Sequence, residues 1–114
     1  MKIAAILLMS AVLAFTGCNK VDVEKGTPKC VKKEIKDFNK SSQCDDATVE
    51  EYSYQGKTVF VFNHGSCGRD FSSRVIDSDC NYLGSLGGFV GNTEINGENF
   101  SSATFIKTTW KKSK

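Results

Sequence analysis

The sequence predicts an α+β fold, in which one N-terminal amphipathic helix packs on an antiparallel sheet of four to five strands and two disulfides crosslink the domain. Three observations lead to this fold class. Apolar residues first recur at helical spacing and then, further along the chain, alternate at strand spacing. The cysteines that follow the export signal are even in number. Periodicity is the main sequence signal for secondary structure, and an even cysteine count in an exported chain predicts paired thiols.

The first residues have the pattern of a secretory signal. Lys2 provides a positive charge, and residues 3–15 are apolar except for Ser10. This run is too short for a membrane-spanning helix, which needs roughly 20 apolar residues. It matches instead the apolar region of a signal peptide, which is removed from the mature protein. The predicted signal peptide covers residues 1–17.

The signal ends in the sequence Leu13-Ala14-Phe15-Thr16-Gly17-Cys18. This sequence resembles the lipobox of bacterial lipoproteins, with Phe15 at the position where leucine is usual. The resemblance implies that a diacylglycerol is attached to the sulfur of Cys18, that the chain is cut before Cys18, and that the new amino terminus is acylated, for example with palmitate. Asn19 resembles the sorting signal for the outer membrane. The alternative is an ordinary secretory signal, which would leave Cys18 as an unfavourable free thiol.

The charge composition of the mature part limits the classes of partner that it is expected to bind. The 15 lysines and arginines less Lys2 leave 14 basic side chains against 13 acidic ones. This balance predicts no nucleic-acid partner. Residues 18–28 form the lipidated cysteine and a polar tether, which reaches at most about 35 Å, and residues 29–114 form a single α+β domain. The predicted partners are the membrane, through the acyl anchor on Cys18, and an envelope protein.

A helix is predicted to follow the tether and to extend to about Lys40. Thr27 is a good N-cap, and Pro28 suits the first helical position. The apolar residues at helical spacing are Val31, Ile35 and Phe38. Five lysines in the same segment are typical of a solvated helix face, and attraction to anionic lipid headgroups is the alternative interpretation. These lysines are Lys29, Lys32, Lys33, Lys36 and Lys40.

Strands are predicted over residues 48–54 and 57–63, joined by Gln55-Gly56, which is a hairpin signal. In the second of these strands Val59 and Val61 face one way. Phe60 and Phe62 face the other way. Apolar residues on both faces indicate a central strand that the helix covers on at least one side. Further strands are predicted over residues 74–77, 82–86 and 103–111.

Four cysteines remain once Cys18 is assigned to the anchor, and they can pair in three ways. The four are Cys30, Cys44, Cys67 and Cys80. We favour Cys30–Cys44 with Cys67–Cys80, because each pair closes a short loop that is worth about 3 kcal/mol in chain entropy. No two cysteines have the C-x-x-C spacing, so neither a zinc site nor a thioredoxin-type site is predicted.

Two segments have a formal likeness to reactive or metal-binding sites. His64 lies close to Cys67, as a base lies close to a thiol nucleophile, but an oxidising envelope favours a disulfide at Cys67. Residues 77–81 imitate the start of a calcium loop, yet Tyr82 stands where that loop needs glycine. We interpret both segments as turns or loops, and predict no catalytic residue, no metal site and no cofactor.

The most unusual stretch is residues 84–92, which are rich in glycine. Their spacing fits neither the dinucleotide fingerprint nor the phosphate loop. Glycines permit unusual backbone geometry, and aromatic residues on braced loops are common recognition anchors. We predict a partner contact at Gly87, Gly88, Phe89 and Val90, with burial of Phe89 in the core as the alternative.

Three segments carry a family resemblance: Tyr52-Ser53-Tyr54-Gln55-Gly56-Lys57-Thr58-Val59-Phe60, the Asp77-Ser78-Asp79-Cys80-Asn81 turn and Gly87-Gly88. Together they resemble a family of small bacterial envelope lipoproteins known only as a domain of unknown function. The resemblance implies the anchor and the fold and adds no activity. We therefore expect a lipid-anchored protein of the cell envelope, at the outer membrane, that acts as a non-enzymatic binding or scaffolding module. The alternative is a small envelope hydrolase, or an inhibitor of one.

Overall fold

The computed structural model describes residues 21–113. The elements in that range are α1 (Lys29–Ser41), β1 (Thr48–Tyr54), β2 (Lys57–Asn63), β3 (Ser72–Asp77), β4 (Tyr82–Gly87), β5 (Glu94–Ile95), β6 (Glu98–Asn99), a 3-10 helix (Phe100–Ser102) and β7 (Thr104–Lys111). Five strands form an antiparallel sheet in the order β4-β3-β2-β1-β7. Strands β5 and β6 pair only with each other and form a small two-stranded ribbon.

Helix α1 packs through one apolar side, as its sequence period predicts. Its buried residues are Val31, Ile35 and Phe38. The predicted N-cap is wrong, because Pro28 occupies the cap position and the Thr27 hydroxyl donates to the carbonyl of Glu24 at 2.8 Å. The helix ends where Ser42 turns to an extended conformation and donates its N–H to the carbonyl of Phe38 at 2.8 Å.

Strands β1 and β2 have the predicted bounds and form a hairpin with a two-residue turn. Gln55 and Gly56 both have positive φ, at 51° and 76°. This conformation matches the right-handed twist of the strands, and glycine adopts it without strain. The hairpin therefore places β2 between β1 and β3, in the centre of the sheet.

The two faces of the sheet have different covers. On the helix face, α1 packs on a cluster that includes Val49, Phe60, Phe62, Ile76 and Trp110. On the opposite face, which we call the ribbon face, Ile95 of the ribbon packs on Tyr54, Val59, Val61 and Val75. Full burial of an aliphatic or aromatic side chain contributes about 1.5–3 kcal/mol, so both covers stabilise the sheet.

The predicted N-terminal position of the helix is wrong. Residues 21–28 precede α1 and are fastened to the domain, since Glu24 donates its N–H to the carbonyl of Thr109 on β7 at 3.1 Å. Val21 and Val23 pack against the helix-face core. The predicted fold also lacks the β5-β6 ribbon. Both errors have one cause: these segments are too short to show a period, and contacts with distant parts of the chain hold them in place.

The two disulfides join Cys30 to Cys80 and Cys44 to Cys67, with Cα–Cα distances of 6.1 and 5.4 Å. All four predicted cysteines are thus paired, but the favoured connectivity is wrong. A helix rises 1.5 Å per residue, so Cys30 and the end of α1 at Ser41 lie about 16 Å apart. A disulfide spans at most about 7 Å between Cα atoms. The three residues from Ser41 to Cys44 lead on towards β1 and do not fold back along the helix. Cys44 therefore meets the loop after β2, and Cys30 meets the β3-β4 turn.

The β3-β4 turn is held by the carboxylate of Asp77. This carboxylate accepts the N–H groups of Asp79 and Asn81 at 2.9 Å each, and it lies 3.9 Å from the ammonium of Lys57. Burial by itself raises the pKa of Asp77, but the hydrogen bonds and Lys57 outweigh burial and lower it. Residues 77–81 therefore form a hydrogen-bonded turn, in agreement with the sequence interpretation.

We expect tryptic mapping without reduction to show the observed connectivity. Trypsin can separate the four cysteines, because a lysine or arginine lies between each neighbouring pair. Peptide 30–32 should be linked to peptide 75–107, and peptide 41–57 to peptide 58–69. The loops of 50 and 23 residues correspond to about 4 and about 3 kcal/mol of chain entropy. Recovery of peptide 30–32 joined to peptide 41–57 would contradict the structure.

Candidate functional site

The glycine-rich stretch after β4 forms a tight turn, which we call the Phe89 turn (residues 87–92). Gly87 and Asn92 exchange both backbone hydrogen bonds, at 2.8 and 3.0 Å. Gly91 donates to the carbonyl of Gly88 at 3.1 Å, and Gly88 donates to the carbonyl of Phe71 at 3.0 Å. The turn is therefore fastened both to itself and to the segment that precedes β3.

The three glycines allow this geometry. Gly87, Gly88 and Gly91 have φ values of 78°, 77° and 65°, in the left-handed region that L-residues rarely adopt. The side chain of Asn92 braces the turn further, since its Nδ2 donates to the carbonyls of Ser85 and Glu94 at 2.7 Å each. The three glycines therefore allow the turn to adopt one defined backbone conformation.

The tip of the turn presents two apolar side chains to solvent. Phe89 is 88% exposed and Val90 is 83% exposed. The alternative in which Phe89 folds back into the core is thus wrong. The predicted contact residues Gly87, Gly88, Phe89 and Val90 lie together on this turn.

A groove of about 580 Å³ lies on the ribbon face at the base of the Phe89 turn. Gly87 and Gly91 form part of its lining, so the Phe89 turn adjoins the groove. Its other lining residues are Tyr52, Leu86, Asn92, Thr93, Asn99, Phe100, Ser101 and Ala103. None of these described lining residues carries a charge, so the groove suits an uncharged part of a partner.

Two aromatic residues, Tyr52 and Phe100, belong to the lining of the groove. The ring of Tyr52 packs edge-on against Phe100 and Phe105, with centroid distances of 5.1 and 5.6 Å. Burial raises the pKa of Tyr52, and the charge of the Glu50 carboxylate and a hydrogen bond to it raise the pKa further. Phe105 is half exposed and extends this aromatic surface beyond the groove.

Tyr54 fixes the β5-β6 ribbon, which contributes Asn99 to the lining of the groove. Its buried hydroxyl lies 2.6 Å from the carbonyl oxygen of Ile95 and 2.9 Å from that of Glu98. Burial raises the pKa of Tyr54, and the carboxylates of Glu98 and Glu94 raise it further. The ribbon is therefore attached to the sheet by a hydroxyl that remains a donor through the neutral range.

The remaining candidates from the sequence do not form a reactive site. His64 packs between Phe38 and Phe71, with centroid distances of 5.0 Å to each ring, and Cys67 is bonded to Cys44. Within residues 21–113 no group of three or more histidine, cysteine or acidic side chains is placed to hold a metal ion. Among the helices of the described range, none is long and apolar enough to cross a membrane. Residues 1–17 and Cys18 lie outside the described residues.

Sequence reasoning missed the groove, because its lining comes from four separate parts of the chain. One signal was present: Tyr52 and Tyr54 point to the same face of β1, so that face needed an aromatic or apolar cover.

The comparisons with known proteins identify a family. The family model described as "Domain of unknown function (DUF6970)" matches residues 35–112. The chain belongs to this family. The matched region contains the Phe89 turn, the groove and three of the disulfide-bonded cysteines, Cys44, Cys67 and Cys80. Searches of the curated proteins and of the solved structures found no match.

Replacing Phe89 with alanine should leave the stability of the domain almost unchanged. A change at an exposed surface position typically alters the free energy of unfolding by about 0.5 kcal/mol or less. Phe60→Ala is the matched control, because Phe60 is only 1% exposed; its loss should cost about 3–5 kcal/mol. Urea denaturation of the two variants measures both values. Equal losses would show that Phe89 is a core residue.

Proposed function

We propose that this protein is a lipid-anchored protein of the bacterial envelope whose globular part is a non-enzymatic binding module. Its anchor is the acylated Cys18, and its contact surface is the Phe89 turn with the adjoining groove. One observation carries the proposal: a turn closed by backbone hydrogen bonds holds Phe89 and Val90 almost fully in solvent. Asn19, which follows Cys18, favours the outer membrane as the site of the anchor.

Exposure of these two side chains is costly unless a partner covers them. Transfer of apolar surface out of water contributes about 25 cal/mol per Å², and the free protein does not realise this gain at the turn. The glycines allow the backbone to be fixed before binding, so a partner loses little conformational entropy when it orders the turn. A fixed aromatic residue beside a groove is the usual form of an interface hot spot.

The partner that suits this surface is an envelope protein with a complementary apolar surface. The groove offers aromatic rings and neutral amide and hydroxyl groups, and the described residues that line it include no charged side chain. Such a lining favours apolar contact and neutral hydrogen bonds over ion pairing. Binding should therefore depend only weakly on salt.

The observed contacts favour binding over hydrolysis. A hydrolase needs titratable groups that converge on a pocket. The only histidine, His64, packs between two phenylalanine rings, and Cys67 forms a disulfide with Cys44. An inhibitor of an envelope hydrolase would present the same turn to its target, so the identity of the captured partner distinguishes a scaffold from an inhibitor.

The anchor can be tested with Cys18→Ser. Without the sulfur that accepts the diacylglycerol, we expect an uncleaved precursor that incorporates no labelled palmitate. Thr16→Ser is the control, because it keeps a small hydroxyl residue before Cys18 and should leave labelling intact. Labelling of the Cys18→Ser protein would refute the anchor.

The contact surface can be tested by capture from detergent extracts of the envelope. Phe89→Ala should weaken capture of the specific partner on the order of thirtyfold, as expected for a hot-spot residue. Tyr82→Ala is the matched control, because Tyr82 is 62% exposed at the opposite end of β4 and should leave capture unchanged. If both variants retain the same partners as the wild type, the Phe89 turn is not the contact surface.

A further inference from the structure

The solvent side of α1 carries a continuous stripe of lysines. With 3.6 residues per turn, their positions fall within an arc of about 100°, opposite the buried side of the helix. All of them are exposed. The members of this lysine stripe are Lys29, Lys32, Lys33, Lys36 and Lys40.

The positive charge of the stripe is not neutralised within the described chain. The two ion pairs of residues 21–113 are Arg74 with Glu34, at 3.0 Å, and Lys57 with Asp77. Glu34 is therefore engaged on the sheet side of α1, and Asp37 is the one other acidic residue of the helix. Five positive charges against one negative charge leave an excess of four on this surface.

A second feature adjoins the stripe. A groove of about 460 Å³ is lined by Val21, Val23 and the lysines at positions 29, 32, 33 and 36. The neighbouring acidic residues Asp22 and Glu24 line a different groove, against β7. Lysines therefore surround a small apolar surface, and the acidic side chains lie on the other side of the same segment.

The position of this surface relative to Cys18 is set by covalent geometry. Because Val21 and Val23 are packed on the domain, the three links from Cys18 to Val21 span at most about 11 Å. The free part of the tether is thus much shorter than the predicted 35 Å. With lipid on Cys18, so short a link lets the lysine stripe approach the headgroups to within the screening length of about 8–10 Å, where charges still interact.

We infer that the lysine stripe and the groove beside it form a second membrane contact, which binds the phosphate headgroups of an anionic phospholipid surface. This inference rests on the proposed anchor at Cys18. Each lysine near an anionic surface contributes about fivefold to the partitioning. The stripe lies over the helix face and the Phe89 turn belongs to the ribbon face, so this contact would turn the Phe89 turn away from the membrane.

Lysine footprinting of the lipidated protein tests this contact. The mature protein is reconstituted in vesicles of phosphatidylcholine alone, or of phosphatidylcholine mixed with phosphatidylglycerol, and acetylation of each lysine is followed by mass spectrometry. Acetylation at Lys32, Lys33 and Lys36 should be at least about fivefold slower in the anionic vesicles, and high salt should abolish the difference. Lys57, on the ribbon side, is the internal control and should react equally in both vesicles.

The triple variant Lys32→Gln, Lys33→Gln and Lys36→Gln should remove the protection of Lys29 and Lys40, whereas Lys57→Gln should preserve it. Equal acetylation of the stripe in the two kinds of vesicle would overturn the inference. Slow acetylation of the stripe lysines in detergent without vesicles would also overturn the inference, since a second copy of the chain would then cover the stripe. Protein that fails to float with either vesicle would instead refute the anchor at Cys18, so the two failures are distinguishable.

Discussion

The central strand β2 is apolar on both faces, and the rest of the structure depends on keeping both faces out of water. Phe60 and Phe62 need a cover on one side, and Val59 and Val61 need one on the other. Helix α1 supplies the first cover, and the β5-β6 ribbon supplies the second. Burial of apolar surface is the main favourable term in folding. A domain of this size buries only a modest apolar area, so the loss of either cover would destabilise it.

The two covers give the domain two chemically different surfaces. The outside of α1 is strongly basic and lies next to the segment that leads to Cys18, whereas the Phe89 turn and its groove are uncharged and aromatic. The disulfides hold the first cover at both ends, since Cys30 ties the start of α1 to the β3-β4 turn and Cys44 ties the segment after it to the loop that follows β2. With the sheet between them, membrane and partner could be bound at the same time.

The correct disulfide connectivity could have been predicted from the sequence. The bounds of β1 and β2 and their two-residue turn were correct, and they define the register that pairs Thr48 with Asn63. Cys44 lies four residues before Thr48, and Cys67 lies four residues after Asn63, so the same register places these two cysteines opposite each other. Cys30 and Cys80 then remain as the second pair. The favoured pairing rests instead on the shortness of the loops that it closes. Loop closure depends only weakly on length, so geometry decides between connectivities.

By itself the sequence determined the apolar side of α1, the β1-β2 hairpin and the two-sided character of β2, because each follows from a local period or a local turn. Tertiary structure alone decided that Val21 and Val23 join the core, that a ribbon covers the valine side of β2, and that Phe89 is exposed. These features depend on contacts between residues far apart in the chain. Burial in particular is a property of the assembled surface, and a local pattern cannot specify which neighbour will cover a side chain.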